Sequence, residues 1–190
     1  MNIVIIGSGG REHALCYKLL KSSKINKIYC IPGNAGTDEI ATNIFADIND
    51  FDEIYKIVLK LNVELIVVGP EIPLVNGIVD YFEKKNIKIF GPNKKCSQLE
   101  GSKFFMKNIC KKYNIPSAKY FEISDINQIE KFLSSVSFPV VVKSDGLAAG
   151  KGVTICNNLD EVIKDVQEIL DGKFKSSNKV FIEEFLEGEE

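Results

Sequence analysis

The stretch from Phe138 to Gly152, FPVVVKSDGLAAGKG, carries the densest chemistry in the chain. An apolar β-type run delivers Lys143 into a loop in which Gly146, Gly150 and Gly152 alternate with small residues. Lys151 sits between the last two glycines. Two ammonium groups and several backbone N–H donors with no Cβ in the way are what a polyphosphate requires. The spacing is not that of a P-loop, which needs four residues between its first Gly and a Gly-Lys pair followed by Ser or Thr. Here Gly152 follows Lys151, so a different phosphate-binding architecture is implied. Asp145 is the odd member: beside a polyanion it repels unless it holds a lysine or binds through a metal. The bland reading of this stretch is a surface hairpin, which would not need so many small residues.

Other candidates sit at turns. GSGGREHA, Gly7 to Ala14, follows a strand and opens a helix, and contains the chain's only arginine, Arg11, and only histidine, His13. A helix N-terminus of this kind offers N–H groups to an anion such as a sugar phosphate. It serves equally as a tight turn that lets the helix pack on a sheet. It is not GxGxxG, and the second strand ends in Ile31-Pro32-Gly33 without the acidic residue a dinucleotide needs. A nicotinamide-dependent oxidoreductase is therefore a rival that the sequence disfavours. Asn34 and Thr37 in PGNAGT, and Glu71 in GPEIP, could meet ribose hydroxyls or an amine, although turn and capping chemistry is the plainer reading. Lys103 opens a helix, where a cation opposes the dipole; it is either a solvated lysine or one relieved by a bound phosphate. Glu183-Glu184-Phe185-Leu186 leaves a strand towards Gly188. Such a segment can read an adenine edge through its backbone, or be simply an acidic turn.

The elements that must hold these residues alternate. Asn2–Ile6, Lys27–Ile31, Leu65–Val68 and Ile87–Phe90 read as strands; Arg11–Lys21, Phe51–Leu61 and Leu74–Lys85 read as helices. This implies a parallel sheet with right-handed crossovers, its Gly/Pro turns lining one edge. Past Pro92 the texture changes. Ser102–Tyr113 reads as a helix burying Phe105, Ile109 and Cys110. Tyr120–Ile123, Val140–Lys143, Val153–Cys156 and Val180–Glu183 read as strands, Ile126–Leu133 and Leu159–Leu170 as helices, and 173–179 as an exposed loop. The break between two units falls near Pro92–Gly101.

The bulk numbers exclude more than they assign. A chain of 190 residues with 45% hydrophobic and 26% charged residues is ordinary globular protein. A net charge of −2 gives no support for nucleic-acid or membrane-surface partners. Five cysteines without a CxxC pair argue for reduced thiols in the cytoplasm, and a single histidine argues against a Cys/His metal cluster or a serine triad. The apolar run at the N-terminus is too short for a signal peptide, and no stretch approaches the length of a membrane span. EEFLEGEE has neither a stop signal nor a polar tail, and reads as part of a longer protein.

In order, GxGGREHA at Gly7–Ala14, PGNAGT at Pro32–Thr37, VGPExPLVxG at Val68–Gly77, IFGP at Ile89–Pro92, QLEGSK at Gln98–Lys103, VKSDGLAAGKGV at Val142–Val153 and IEEFLEGEE at Ile182–Glu190 closely resemble the N-terminal part of the phosphoribosylamine–glycine ligase family. The resemblance covers essentially the whole chain. It implies an α/β fold: a Rossmann-like parallel-sheet pre-ATP-grasp domain over 1–100, then the first half of an ATP-grasp domain over 101–190, its lid at about 115–186. It implies ligation of glycine to 5-phosphoribosylamine through glycyl phosphate, with ATP as phosphoryl donor. Lys103 and Lys143 would contact the phosphates, and the loop Asp145–Gly152 (Asp145, Gly146, Gly150, Lys151, Gly152) would close over them. Glu183, Glu184 and Leu186 would hold adenine, and Glu190 the ribose. Gly9, Gly10 and Glu71 would serve phosphoribosylamine, with Arg11 and His13 positioning their helix. No catalytic residue is assigned. The Mg2+ or Mn2+ ligands would lie beyond position 190, so the chain would not turn over alone. The alternatives are another ATP-grasp carboxylate–amine ligase and a non-catalytic nucleotide-binding fragment.

Overall fold

A computed structural model describes residues 1–147, 152–173 and 179–188. The chain divides into two compact units, Met1–Gln98 and Leu99–Glu190.

In the first unit the elements run β1 (Asn2–Gly7), α1 (Gly10–Leu19), β2 (Lys27–Pro32), α2 (Ala35–Asp38), β3 (Thr42–Asn43), α3 (Phe51–Lys60), β4 (Leu65–Val68), α4 (Glu71–Asn76), α5 (Ile78–Glu83), β5 (Ile89–Phe90) and α6 (Lys94–Gly101), the last reaching the division. The strands form one sheet in the order β3-β2-β1-β4-β5 with every pair parallel. This is the expected parallel α/β architecture. Its order reverses between β1 and β4, where open α/β sheets bind ligands beyond the strand ends. Alternation along β1 separates two layers of core. Val4 and Ile6 pack with Ile54 and Val58 of α3 and Ile78 and Phe82 of α5, while Ile3 and Ile5 pack with Cys16 of α1.

The sequence pattern differs from the structure at four places here, one of them α6, a helix where the sequence reads only as a break between units. α2 and β3 are too short for periodicity to reveal. The apolar run Leu74–Lys85 is two helices, because Gly77 adopts φ +97° and ends the first. The strand expected at Ile87–Phe90 keeps only Ile89–Phe90.

In the second unit α7 (Lys103–Tyr113) precedes β6 (Tyr120–Ile123), a 3-10 turn (Ile126–Gln128) and α8 (Ile129–Leu133). Then come β7 (Val140–Ser144), β8 (Val153–Cys156), α9 (Leu159–Leu170) and β9 (Val180–Glu184). The sheet is antiparallel, β6-β9-β7-β8. Val140 and Val142 of β7 and Val180 and Ile182 of β9 bury one face against α8 and α9. Residues of opposite parity, Val141 and Lys143 with Phe181 and Glu183, therefore lie on the other face. On that face Phe181 contacts the rings of Phe104 from α7 and Tyr120 from β6. The expected apolar burial of α7 is incomplete: Phe105, Ile109 and Cys110 are half-buried, and the one fully buried residue of the helix is Lys107. Of the loop read at 173–179, residues 174–178 lie outside the described residues.

Candidate functional site

The first unit holds a cleft of about 330 Å3 at the switch point, lined by Gly7–Glu12, Ile48 and Pro70. Its floor is organised by Glu12. That carboxylate is 4% exposed and accepts from the Gly9 N–H at 2.5 Å. Gly7 and Gly69 leave room for it: a Cβ on Gly69 would stand 1.9 Å from Glu12 Oε1, and one on Gly7 2.7 Å from its Cδ. Gly10, by contrast, begins α1 with open space around a would-be Cβ.

Arg11 crosses to the turn after β4, donating to the Gly69 carbonyl at 2.5 Å and through both terminal nitrogens to Glu71 Oε1 at 3.0 Å. A hydrogen bond from its own backbone N–H, and then the Arg11 guanidinium, hold the Glu71 carboxyl below the usual carboxylate range. Asn34 and Thr37 take the plainer of the two readings offered for them. Asn34 caps α2 by accepting from the Thr37 N–H, and its amide donates to the carbonyls of Ser8 and Gly9. The turns after β1, β2 and β4 are thereby tied together.

In the second unit the site is built on the sheet face under α7. Register places Val141 opposite Glu183, so Lys143 lies diagonally from Glu183 on the same face. Lys143 Nζ donates to Glu183 Oε2 at 2.8 Å. The other carboxylate oxygen, Oε1, lies 3.3 Å from Lys107 Nζ. Lys107 is 3% exposed and Glu183 4%. Lys107 also donates to the Ala118 carbonyl at 3.1 Å and lies over the Tyr120 ring. Lys103, the first residue of α7, donates to the Gly146 carbonyl at 3.0 Å. Burial first, and then the Lys143 charge, push Lys103 below the ordinary lysine range, against the pull of Asp145. Lys103 thus stands on the Gly146 carbonyl, and Lys143 near the end of β7, where the strand gives way to the glycine loop.

Among the described residues Asp145 holds no lysine by a direct bond. It accepts from the Ser102 hydroxyl at 3.2 Å and the Phe104 N–H at 3.3 Å, which puts a carboxylate at the N-terminus of α7. There it offsets the cation that Lys103 brings to the same helix end. Gly146 takes φ +82°, the left-handed turn the loop needs after Asp145. Gly152 is buried, its carbonyl accepting from the Ser144 N–H at 2.9 Å.

Glu184 is engaged elsewhere, accepting from the Lys119 N–H at 2.8 Å while its own N–H donates to the Lys119 carbonyl. Leu186 is exposed. Gly150, Lys151 and Glu190 lie outside the described residues. The structure therefore brings Lys103, Lys143, Asp145, Gly146 and Glu183 together, and in the other unit Gly9, Gly10 and Glu71. Sequence reasoning missed Lys107 and Glu12. The only signal for Lys107 is its i, i+4 spacing from Lys103, which puts both on one helix face.

Comparison with known proteins gives these sites a context. Residues 1–100 match the family model described as phosphoribosylglycinamide synthetase, N domain, and residues 101–190 the model for its ATP-grasp (A) domain. An α/β unit joined to an ATP-grasp unit is thus the class of protein. The chain belongs to the phosphoribosylglycinamide synthetase family. A phosphoribosylamine–glycine ligase of Clostridium acetobutylicum is 45% identical over all of this chain and 46% of its own length. A bifunctional purine biosynthetic protein of Dictyostelium discoideum is 45% identical over all of this chain and 24% of itself. The crystal structure of phosphoribosylamine–glycine ligase from Thermotoga maritima aligns with TM-score 0.78 at 32% identity, covering 100% of this chain and 45% of that one. The chain spans about half the length of the curated ligases it matches.

Proposed function

We propose that this chain supplies the phosphoribosylamine-binding unit and the first part of the ATP clamp of a ligase that joins glycine to 5-phosphoribosylamine. The observation that carries the reading is the placement of Lys103 on the Gly146 carbonyl and of Lys143 near the end of β7, both where the strand gives way to a glycine loop, in a chain matched along its whole length by that family's two models. In the reaction the glycine carboxylate attacks the γ-phosphorus of ATP, giving glycyl phosphate and ADP. The amine of phosphoribosylamine then displaces phosphate and forms the amide. Such chemistry asks the protein for neutralised phosphate oxygens, alignment and exclusion of water rather than for covalent help.

Lys103 and Lys143 provide the neutralising charge, and the loop Asp145–Gly152 the backbone donors. The Glu183 carboxylate is committed to two lysines, which leaves the adenine edge to the main chain of Glu184–Leu186, with Glu190 on the ribose. Phosphoribosylamine occupies the cleft at Gly9 and Gly10, beside the Arg11–Glu71 pair. ATP in this reaction is used with Mg2+ or Mn2+. Among the described residues no group of three His, Cys, Asp or Glu side chains could hold a metal ion, and Asp145 and Glu183 are already engaged. No step is derived through the metal. Cytoplasmic action fits five free thiols, three of them buried; among the described residues no helix is long and apolar enough to cross a membrane.

The test is twofold. Titration calorimetry should show ATP, and not NAD, binding to the chain, with Lys143→Ala weakening it by about 10-fold, roughly 1.4 kcal/mol. A coupled ADP-release assay should be silent for the chain alone. It should show turnover dependent on glycine and phosphoribosylamine together once the chain is joined to the remaining half of the Clostridium acetobutylicum relative. Absence of ATP binding by the folded chain, or turnover that demands a different carboxylate, would overturn the reading.

A further inference from the structure

The buried lysine of α7 has no role in the proposed chemistry, since it is 3% exposed and lies beneath Glu183. Yet it is one of two cations on a single carboxylate. Lys107 stands 3.3 Å from Glu183 Oε1, and Lys143 stands 2.8 Å from Oε2. The two differ in access: the Lys107 side chain is 4% exposed and that of Lys143 27%. Lys107 is fixed from behind by the Ala118 carbonyl, the Ser117 hydroxyl and the face of Tyr120. The group of three carries two positive charges and one negative, and its solvent-accessible member is Lys143.

We infer that Lys107 is a positioning residue for polyphosphate binding: by occupying one oxygen of Glu183 it keeps Glu183 from neutralising Lys143, and so preserves a net positive charge at the glycine loop. This rests on the reading of the second unit as an ATP-phosphate site. Without Lys107, the carboxylate and Lys143 would form a closed neutral pair with little attraction for an anion. An ammonium is a compact point charge, so its effect on the site is carried by charge rather than by a shaped contact.

Net charge in the triad can be set by substitution. It is +1 in the wild type, 0 in Lys107→Met, +2 in Glu183→Gln and +1 in the double variant. The probe is inorganic tripolyphosphate, which has no adenine, so a contact of Glu183 with the base does not enter. ATP binding by the wild type is measured alongside, at low ionic strength where charge is least screened. Affinity should follow charge. Lys107→Met should bind at least 10-fold more weakly than wild type, the double variant within about 3-fold of wild type, and Glu183→Gln more tightly. Lys107→Arg should bind like the wild type. Tighter binding by Glu183→Gln is the decisive result, because a purely structural role for the Lys107–Glu183 pair predicts that breaking it from either side weakens binding. If Lys107→Met does not fold, as judged by circular dichroism, the Glu183→Gln and double variants carry the test by the same ordering. A folded Lys107→Met that binds like wild type, a double variant that stays weak, or a Glu183→Gln that does not bind more tightly would each overturn the inference while leaving the ATP reading intact. A folded wild type that binds neither probe would overturn the ATP reading, and this inference with it.

Discussion

Gly69 shows how one absent methyl group sets a site. It follows β4 and faces the Glu12 side chain, whose Oε1, Cδ and Cγ would lie 1.9, 2.6 and 2.8 Å from a Cβ there. Glu12 has little freedom to yield, because it is buried and its Oε2 receives the Gly9 N–H. Gly69→Ala should therefore destabilise the protein by about 1–3 kcal/mol, the usual result of overpacking. It should also displace the turn that carries Gly9 and Gly10. Urea denaturation checks the first expectation, and amide chemical shifts of residues 7–12 the second; a variant unchanged in both would show that Glu12 moves freely. Residues of this kind are the least legible in sequence. Gly7, Gly9 and Gly10 announce a turn, but nothing in GSGGREHA states that Gly7 and Gly9 face Glu12 rather than a ligand. Lys107 is the same case. Between Met106 and Asn108 it reads as solvated, and only Glu183, 76 positions along the chain in sequence order, makes it a buried partner. Lys143 was legible because strand, lysine and glycines are contiguous.

Elements were legible where local pattern and tertiary role agree. β1 and β4 are unbroken apolar runs closed by glycine, and each falls at the expected residues within one position. α9 has its hydrophobic stripe at Val162, Val166 and Ile169, a spacing that suits one buried helix face. Its start is marked too. Asn158 accepts from the Glu161 N–H at 3.0 Å, and its amide donates to Glu161 Oε1 at 2.7 Å. Asn158→Ala removes that cap and should cost about 1 kcal/mol, whereas Asn158→Asp, which still accepts at the helix end, should lose less. Chemical denaturation of the two variants side by side checks the ordering, and equal losses would mean that the cap contributes through its amide alone. The elements that escaped were set by single residues or by distant ones. Gly77 interrupts a run whose periodicity continues through it, and the two residues of β3 are a strand only because β2 pairs with them. α7 shows the opposite failure: its apolar spacing is genuine, but the aromatic rings of Phe104 and Phe181 and the lysine–carboxylate pair decide which side is covered.

At the scale of the whole molecule the chain carries separate cores. One set joins both faces of the parallel sheet to α1, α3 and α5, and the other joins one face of the antiparallel sheet to α8 and α9. Among the described residues none belongs to both sets, so each unit has a core of its own. The candidate sites follow the same division, with the switch-point cleft in one unit and the lysine–glycine loop site in the other. Ile169 is 1% exposed within the second core. Ile169→Ala removes its outer methylenes and leaves a cavity against Val162 and Val166, which should lower the stability of that unit by about 2–5 kcal/mol. If the cores are energetically separate, hydrogen exchange of the slowest amides in β7 and β9 should accelerate by the corresponding factor, while those of β1 and β4 keep their wild-type rates. An equal acceleration in β1 and β4 would show that the units unfold as one, and that the division of the core does not reach the energetics.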